Sequence, residues 1–116
     1  MINDPQKMRD YRRKMNDRIL SENYLPIKRF FNLDTQAYQE GSLDESTKEL
    51  MGLVASTVMR CNDCIFYHLD NCIQKGVTKS QIIEALNIAL IVGGSIVIPH
   101  LRFAFEAMDE LYESKN

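Results

Sequence analysis

The chain has 116 residues, 45% of them hydrophobic and 26% charged, with a formal net charge of −2. That is the content of one ordinary globular domain, and the slight acidity argues against a nucleic-acid partner, which recruits a basic face. Met1 to Lys14 lacks the apolar run of a secretory signal, and the longest apolar stretch, Ala85 to Pro99, is broken by Asn87, Gly93, Gly94 and Ser95. Neither export nor a membrane span is therefore expected, and the chain is assigned to the cytoplasm. Structural disulfides are rare there, so three cysteines point to redox, metal or packing roles.

Taken in chain order, almost every segment reads as helix. Asp4-Pro5 is a start signal, an N-cap carboxylate followed by proline at the first helical position. The helix it opens, to about Glu22, sets Met8, Tyr11, Met15, Ile19 and Leu20 on one apolar face. Its cluster of Lys7, Arg9, Arg12, Arg13, Lys14 and Arg18 reads as a solvated face. Leu25-Pro26 interrupts, and two short pieces, Ile27 to Leu33 and Asp34 to Glu40, run to a stop at Gly41-Ser42. Asp44 then caps a helix with a stripe of Leu50, Leu53, Val54, Thr57 and Val58. Cys61-Asn62-Asp63 breaks it and opens another, whose Ile65, Phe66, Leu69, Cys72 and Ile73 face inward as far as Gly76. Thr78 and Gln81 make a capping box for the next, carrying Ile82, Ile83, Ala85, Leu86, Ala89 and Leu90 and ending at Gly93-Gly94. A last helix runs from about Ile96 through Pro99 to Tyr112, with Phe103, Ala104, Ala107, Met108 and Leu111 in its stripe. No stretch alternates with period two. The class is all-α, a single domain made of an N-terminal helical segment, 1–42, and a core, 43–116.

Cys61 and Cys64 lie three residues apart at a helix start, where they can meet as a disulfide and where the helix dipole and free N–H groups favour a thiolate. His68 follows Cys64 by four residues, so one turn stacks its imidazole over that sulfur, and a base beside a thiol activates it. Glu49 stands twelve residues before Cys61. In a helical hairpin its carboxylate can reach His68. Each residue has a plainer reading: C-x-x-C alone can be redox, metal-binding or incidental, His68 a surface histidine, and Glu49 a capping-box partner of Ser46. Zinc needs four ligands and Cys61, Cys64 and His68 give three, with Cys72 and His100 able to complete a site only by tertiary accident, so no metal is expected. Cys72 falls on the apolar stripe and reads as core.

Together, Glu49, Cys61, Cys64 and His68 form Glu-x(11)-Cys-x(2)-Cys-x(3)-His. That pattern resembles the signature of AhpD-like alkyl hydroperoxidases in the carboxymuconolactone decarboxylase-like superfamily. The Leu43-Asp44 helix start, the Gly76-Val77 turn, and the Ile83-Glu84-Ala85 helix ending at Gly93-Gly94 resemble it too, over roughly Leu43 to Leu111. The resemblance implies an AhpD-like helical bundle assembled as a trimer or hexamer, with its redox site near a subunit boundary. It implies an alkyl hydroperoxide reductase-type enzyme: the Cys64 thiolate attacks the hydroperoxide and becomes a sulfenic acid, Cys61 condenses with it to a disulfide, and His68 and Glu49 relay the proton. No bound cofactor is implied; an external dithiol or lipoamide-type donor returns the electrons. AhpD itself is longer, and has a histidine just before its second cysteine where this chain has Asp63, a carboxylate that opposes ionisation of Cys64. The superfamily's decarboxylase branch works without the cysteine pair. A redox-sensing oligomer, switched by the dithiol without turnover, is the alternative from another class.

Overall fold

The computed structural model describes residues 4–115, and among them all regular structure is helical. The elements are α1 Pro5–Leu20, α2 Leu25–Ala37, α3 Glu45–Val58, α4 Asn62–Gln74, α5 Lys79–Gly93, a single 3-10 turn at Ser95–Val97, and α6 Ile98–Lys115. The all-α expectation holds. Residues 1–3 and 116, the outer ends of the two predicted segments, lie outside the described residues.

The starts follow the caps. The Asp4 carboxylate accepts from the amides of Gln6 and Lys7, and Thr78 with Gln81 forms a reciprocal capping box. The Asp44 carboxylate accepts from the Thr47 amide at 2.7 Å, a bond that holds its carboxyl below the usual range. Because Asp44 is the cap, Ser46 lies inside α3. The capping-box reading of Ser46 and Glu49 is therefore corrected.

Two helices end by the same device. At the end of α4 the Gly76 amide donates to the Ile73 carbonyl and the Val77 amide to that of Cys72, with Gly76 at φ 83°. At the end of α3 the Arg60 amide donates to Thr57 and the Cys61 amide to Ser56, with Arg60 at φ 61°. Cys61 thus closes α3 with its amide and caps α4 with its sulfur.

α4 is the central helix, packed between α3 and α6, with α5 against α3. Its five predicted inward residues, Ile65, Phe66, Leu69, Cys72 and Ile73, are all buried, against Leu53, Ile82, Leu86, Ala104, Ala107, Met108 and Leu111. Full burial of a Leu- or Ile-sized side chain stabilises by about 1.5–3 kcal/mol, so α3–α6 form the rigid part of the molecule.

The N-terminal helices differ from their reading. Tyr11 is 68% exposed and Ile19 also lies on the surface, because α1 meets the core along a different line, through Met8, Arg9 and Arg12. Residues 25–37 form one helix where a break and two pieces were expected: Pro26 sits at its first turn, where a missing N–H leaves no hydrogen bond unmade. No residue of α2 is buried. The residues preceding α6 form the 3-10 turn, and Pro99 lies in the first turn of α6.

Candidate active site

α3 and α4 form the antiparallel hairpin on which the sequence argument depended. Cys61, at the N-cap of α4, is joined by a disulfide to Cys64, with the two Cα atoms 5.3 Å apart. The Cys64 amide donates to the Cys61 sulfur at 3.3 Å. One turn on, the buried His68 meets the buried Glu49: Nδ1 lies 2.9 Å from Glu49 Oε1. A carboxylate accepts, so Nδ1 carries a hydrogen, and Nε2 is the ring nitrogen that Glu49 does not engage. Helical side chains lean toward the N-terminus of their helix, and the four-residue spacing puts His68 on the same face of α4 as Cys64, one turn away. The arrangement is a base oriented by a carboxylate, one turn from a sulfur at a helix start, and it suits proton transfer to and from that sulfur.

Five further residues shape the site. Gly52, one turn after Glu49 on α3, lies directly against the imidazole: a Cβ there would stand 2.6 Å from His68 Cε1. The Asn71 amide donates to the same Glu49 oxygen at 3.3 Å. Tyr38, just past the end of α2, and Tyr67 pack on the His68 ring with centroids 5.4 and 5.1 Å away. Arg12 of α1 lies 3.8 Å over the Tyr67 ring. Gly52, Tyr67 and Asn71 had a local signal, lying beside or one turn from Glu49 or His68 on the same helix; Tyr38 and Arg12 come from distant segments and had none.

The Glu49 charge reaches outward. Burial, reinforced by Glu49 and Asp34, raises the Tyr38 hydroxyl above its ordinary range. Burial first, and Glu49 second, push the Cys72 thiol up to about 12, so it stays a neutral core residue. A cavity of about 370 Å³ between α2, α3 and α4, lined by Glu45, Glu49, Asn71 and Lys75 among others, opens on the carboxylate side of the pair.

His100 does not join the thiols; its Nδ1 lies 2.7 Å from Asn62 Oδ1, between the two cysteines in sequence. Among the described residues no group of three His, Cys, Asp or Glu side chains is placed to hold a metal ion, and no helix is long and apolar enough to cross a membrane. The basic face of α1 is not simply solvated: Arg9 makes a two-pronged ion pair with Asp70 at 2.7 and 2.8 Å, and Arg12 reaches Asp63 at 3.3 Å.

The sequence profile of the carboxymuconolactone decarboxylase family matches residues 27–109. The chain belongs to that family. The match begins inside α2, upstream of the stretch from Leu43 that carries the motif. Two crystal structures of a Thermotoga maritima protein, described as a member of this family, superpose with TM-scores of 0.92 and 0.90 at 57% identity. They cover 95% and 94% of this chain and 96% and 92% of theirs. A family member from Legionella pneumophila, 23% identical with a TM-score of 0.83 over 92% of this chain and 96% of its own, shares the fold. An alkyl hydroperoxide reductase AhpD from Corynebacterium kroppenstedtii is 31% identical over 75 residues, 65% of this chain and 42% of that protein. This chain thus spans less than half the length of that AhpD.

Proposed function

We propose that the protein is a thiol-dependent peroxidase, a disulfide oxidoreductase that reduces hydroperoxides through Cys61 and Cys64. The observation that carries this reading is the Glu49–His68 pair held one turn from a Cys61–Cys64 disulfide at the start of α4. In the reduced protein His68 Nε2 takes the Cys64 proton. The thiolate attacks the outer oxygen of the hydroperoxide, the O–O bond breaks, and the departing alkoxide takes that proton back to leave as an alcohol. Cys64 is then a sulfenic acid. The Cys61 sulfur attacks it, water leaves, and the disulfide forms. An external dithiol or lipoamide-type donor supplies the two electrons and two protons that restore both thiols. The suggested antioxidative role of the Thermotoga protein and the AhpD-named relatives support this choice over the decarboxylase branch.

The reading sets the protein in the cytoplasm, as a homo-oligomer, trimer or hexamer. Support for assembly comes from Phe30 (70% exposed), Leu33, Ile88, Ile91 (74%) and Val92 on the surface of one chain. The test is a thiol count on the reduced protein before and after one equivalent of organic hydroperoxide, with mass mapping of the product. Loss of two thiols and a Cys61–Cys64 disulfide is expected. Full retention of thiols overturns the peroxidase, whereas a disulfide that forms once and does not turn over with hydroperoxide and an external dithiol in excess favours the redox-switch alternative.

A further inference from the structure

Asp63 immediately precedes Cys64 in the sequence and lies in the first turn of α4. A carboxylate at that place opposes formation of a thiolate by like-charge repulsion. Asp63 does not stand alone, however. Arg12 Nη1 lies 3.3 Å from its Oδ2, and the same guanidinium lies 3.8 Å over the ring of Tyr67, which packs edge-on against His68. The Asp63 side chain is 76% exposed and that of Arg12 only 33%. The cation is therefore the fixed member of the pair, held by the aromatic face, and the carboxylate is the solvated one. A single residue of α1 thereby touches both ends of the segment that runs from the cysteines to the histidine.

We infer that Arg12 is a positioning residue for the dithiol, offsetting the Asp63 charge between Cys61 and Cys64 and so setting how readily those thiols ionise. The other charged or titratable groups around this turn are Arg60 at the end of α3, Glu49 on α3, His68 on α4 and His100, which reaches Asn62 from α6. The ion pair of Asp63 is with Arg12, and the same guanidinium joins it to Tyr67. The inference rests on the reading that the cysteine pair cycles, but its test does not require turnover.

The full chain is reduced with excess dithiol, freed of it, and alkylated with iodoacetamide across a pH series, with Cys61 and Cys64 resolved by mass. Arg12→Ala is expected to slow alkylation at pH 7 about two- to fivefold, the range of an exposed charge pair. Asp63→Asn, which leaves α1 and Arg12 in place, speeds it by a similar factor. The double variant returns to within about twofold of the wild type, and Arg12→Lys, which keeps the charge, stays near it. The rate of Arg12→Lys is the decisive readout, since it keeps the charge while giving up the guanidinium's planar stacking on Tyr67. An unchanged rate in Arg12→Ala, an unchanged rate in Asp63→Asn, or a slow double variant each overturns the inference. A protein that alkylates as expected yet forms no disulfide with hydroperoxide instead sinks the peroxidase reading and leaves this one standing.

Discussion

The two ends of α4 are built alike and used differently. Each carries cysteine, and each joins its neighbour through a left-handed residue and the same pair of backbone hydrogen bonds. At the C-terminal end Cys72 is fully buried, its thiol pushed up to about 12, and the left-handed residue is Gly76. At the N-terminal end Cys61 and Cys64 are half-buried and disulfide-bonded, and the left-handed residue is Arg60. Identical residue chemistry thus becomes core at one end and a disulfide at the other. The difference lies in burial, the helix dipole and one oriented base.

The sharpest way to break that comparison is to remove each thiol. Cys64→Ser is expected to abolish peroxide consumption. Cys61→Ser should still permit one oxidation and leave a sulfenic acid on Cys64 that a dimedone-type probe labels. Reversed labelling would exchange the two roles. Cys72→Ser should keep turnover while costing about 1–3 kcal/mol, from a buried hydroxyl without a designed partner; urea denaturation checks it.

Next in size is the base. Gly52→Ala forces the His68 ring away from its present place. A misplacement on that scale should cut the peroxide rate on the order of tenfold to a hundredfold, with the helical spectrum retained. An unchanged rate would show that the imidazole position is immaterial.

pH separates the thiols further. The Cys72 thiol is raised from 9.0 to about 12, so its protonated form is favoured by the fold. The stability it contributes is complete below the unfolded value and is lost as pH rises from about 9 toward about 12. In the reduced native protein iodoacetamide should therefore modify Cys61 and Cys64 at pH 8 and spare Cys72. Early modification of Cys72 would contradict its burial.

The smallest effects test the two junctions. Gly76→Ala places a side chain at φ 83° and should destabilise by about 1 kcal/mol. Arg60→Gly relieves the same conformation and should stabilise by about 0.5 kcal/mol after the entropy of the unfolded chain is counted. Opposite signs in thermal unfolding are the expected outcome.

The core helices were legible because their boundaries are written locally. Asp44, Thr78 with Gln81, Gly76 and Gly93-Gly94 each act within one turn, and the α4 stripe needs only helical spacing. Glu49 and His68 were brought together by one tertiary assumption, the α3–α4 hairpin, and the structure has it. Pro26 misled because the same residue breaks a helix inside and suits its first turn. Tyr11 and Ile19 misled because a periodic stripe says which residues share a face, not which face a partner takes. Tyr38 and Arg12 reach the site from other segments, and no local pattern announces them.

Lys48 has a consequence of its own. From α3 it donates to the carbonyls of Ala37 and Gln39, at 2.9 and 2.7 Å, on either side of Tyr38. α2 itself buries no residue, and segments of that kind open most readily in hydrogen exchange. The tether fastens the last turn of α2 to the rigid hairpin independently of the rest of the helix. Fraying from Leu25 onward can therefore proceed as a local event while the ring over His68 stays seated, so the least protected helix and one wall of the site belong to different cooperative units.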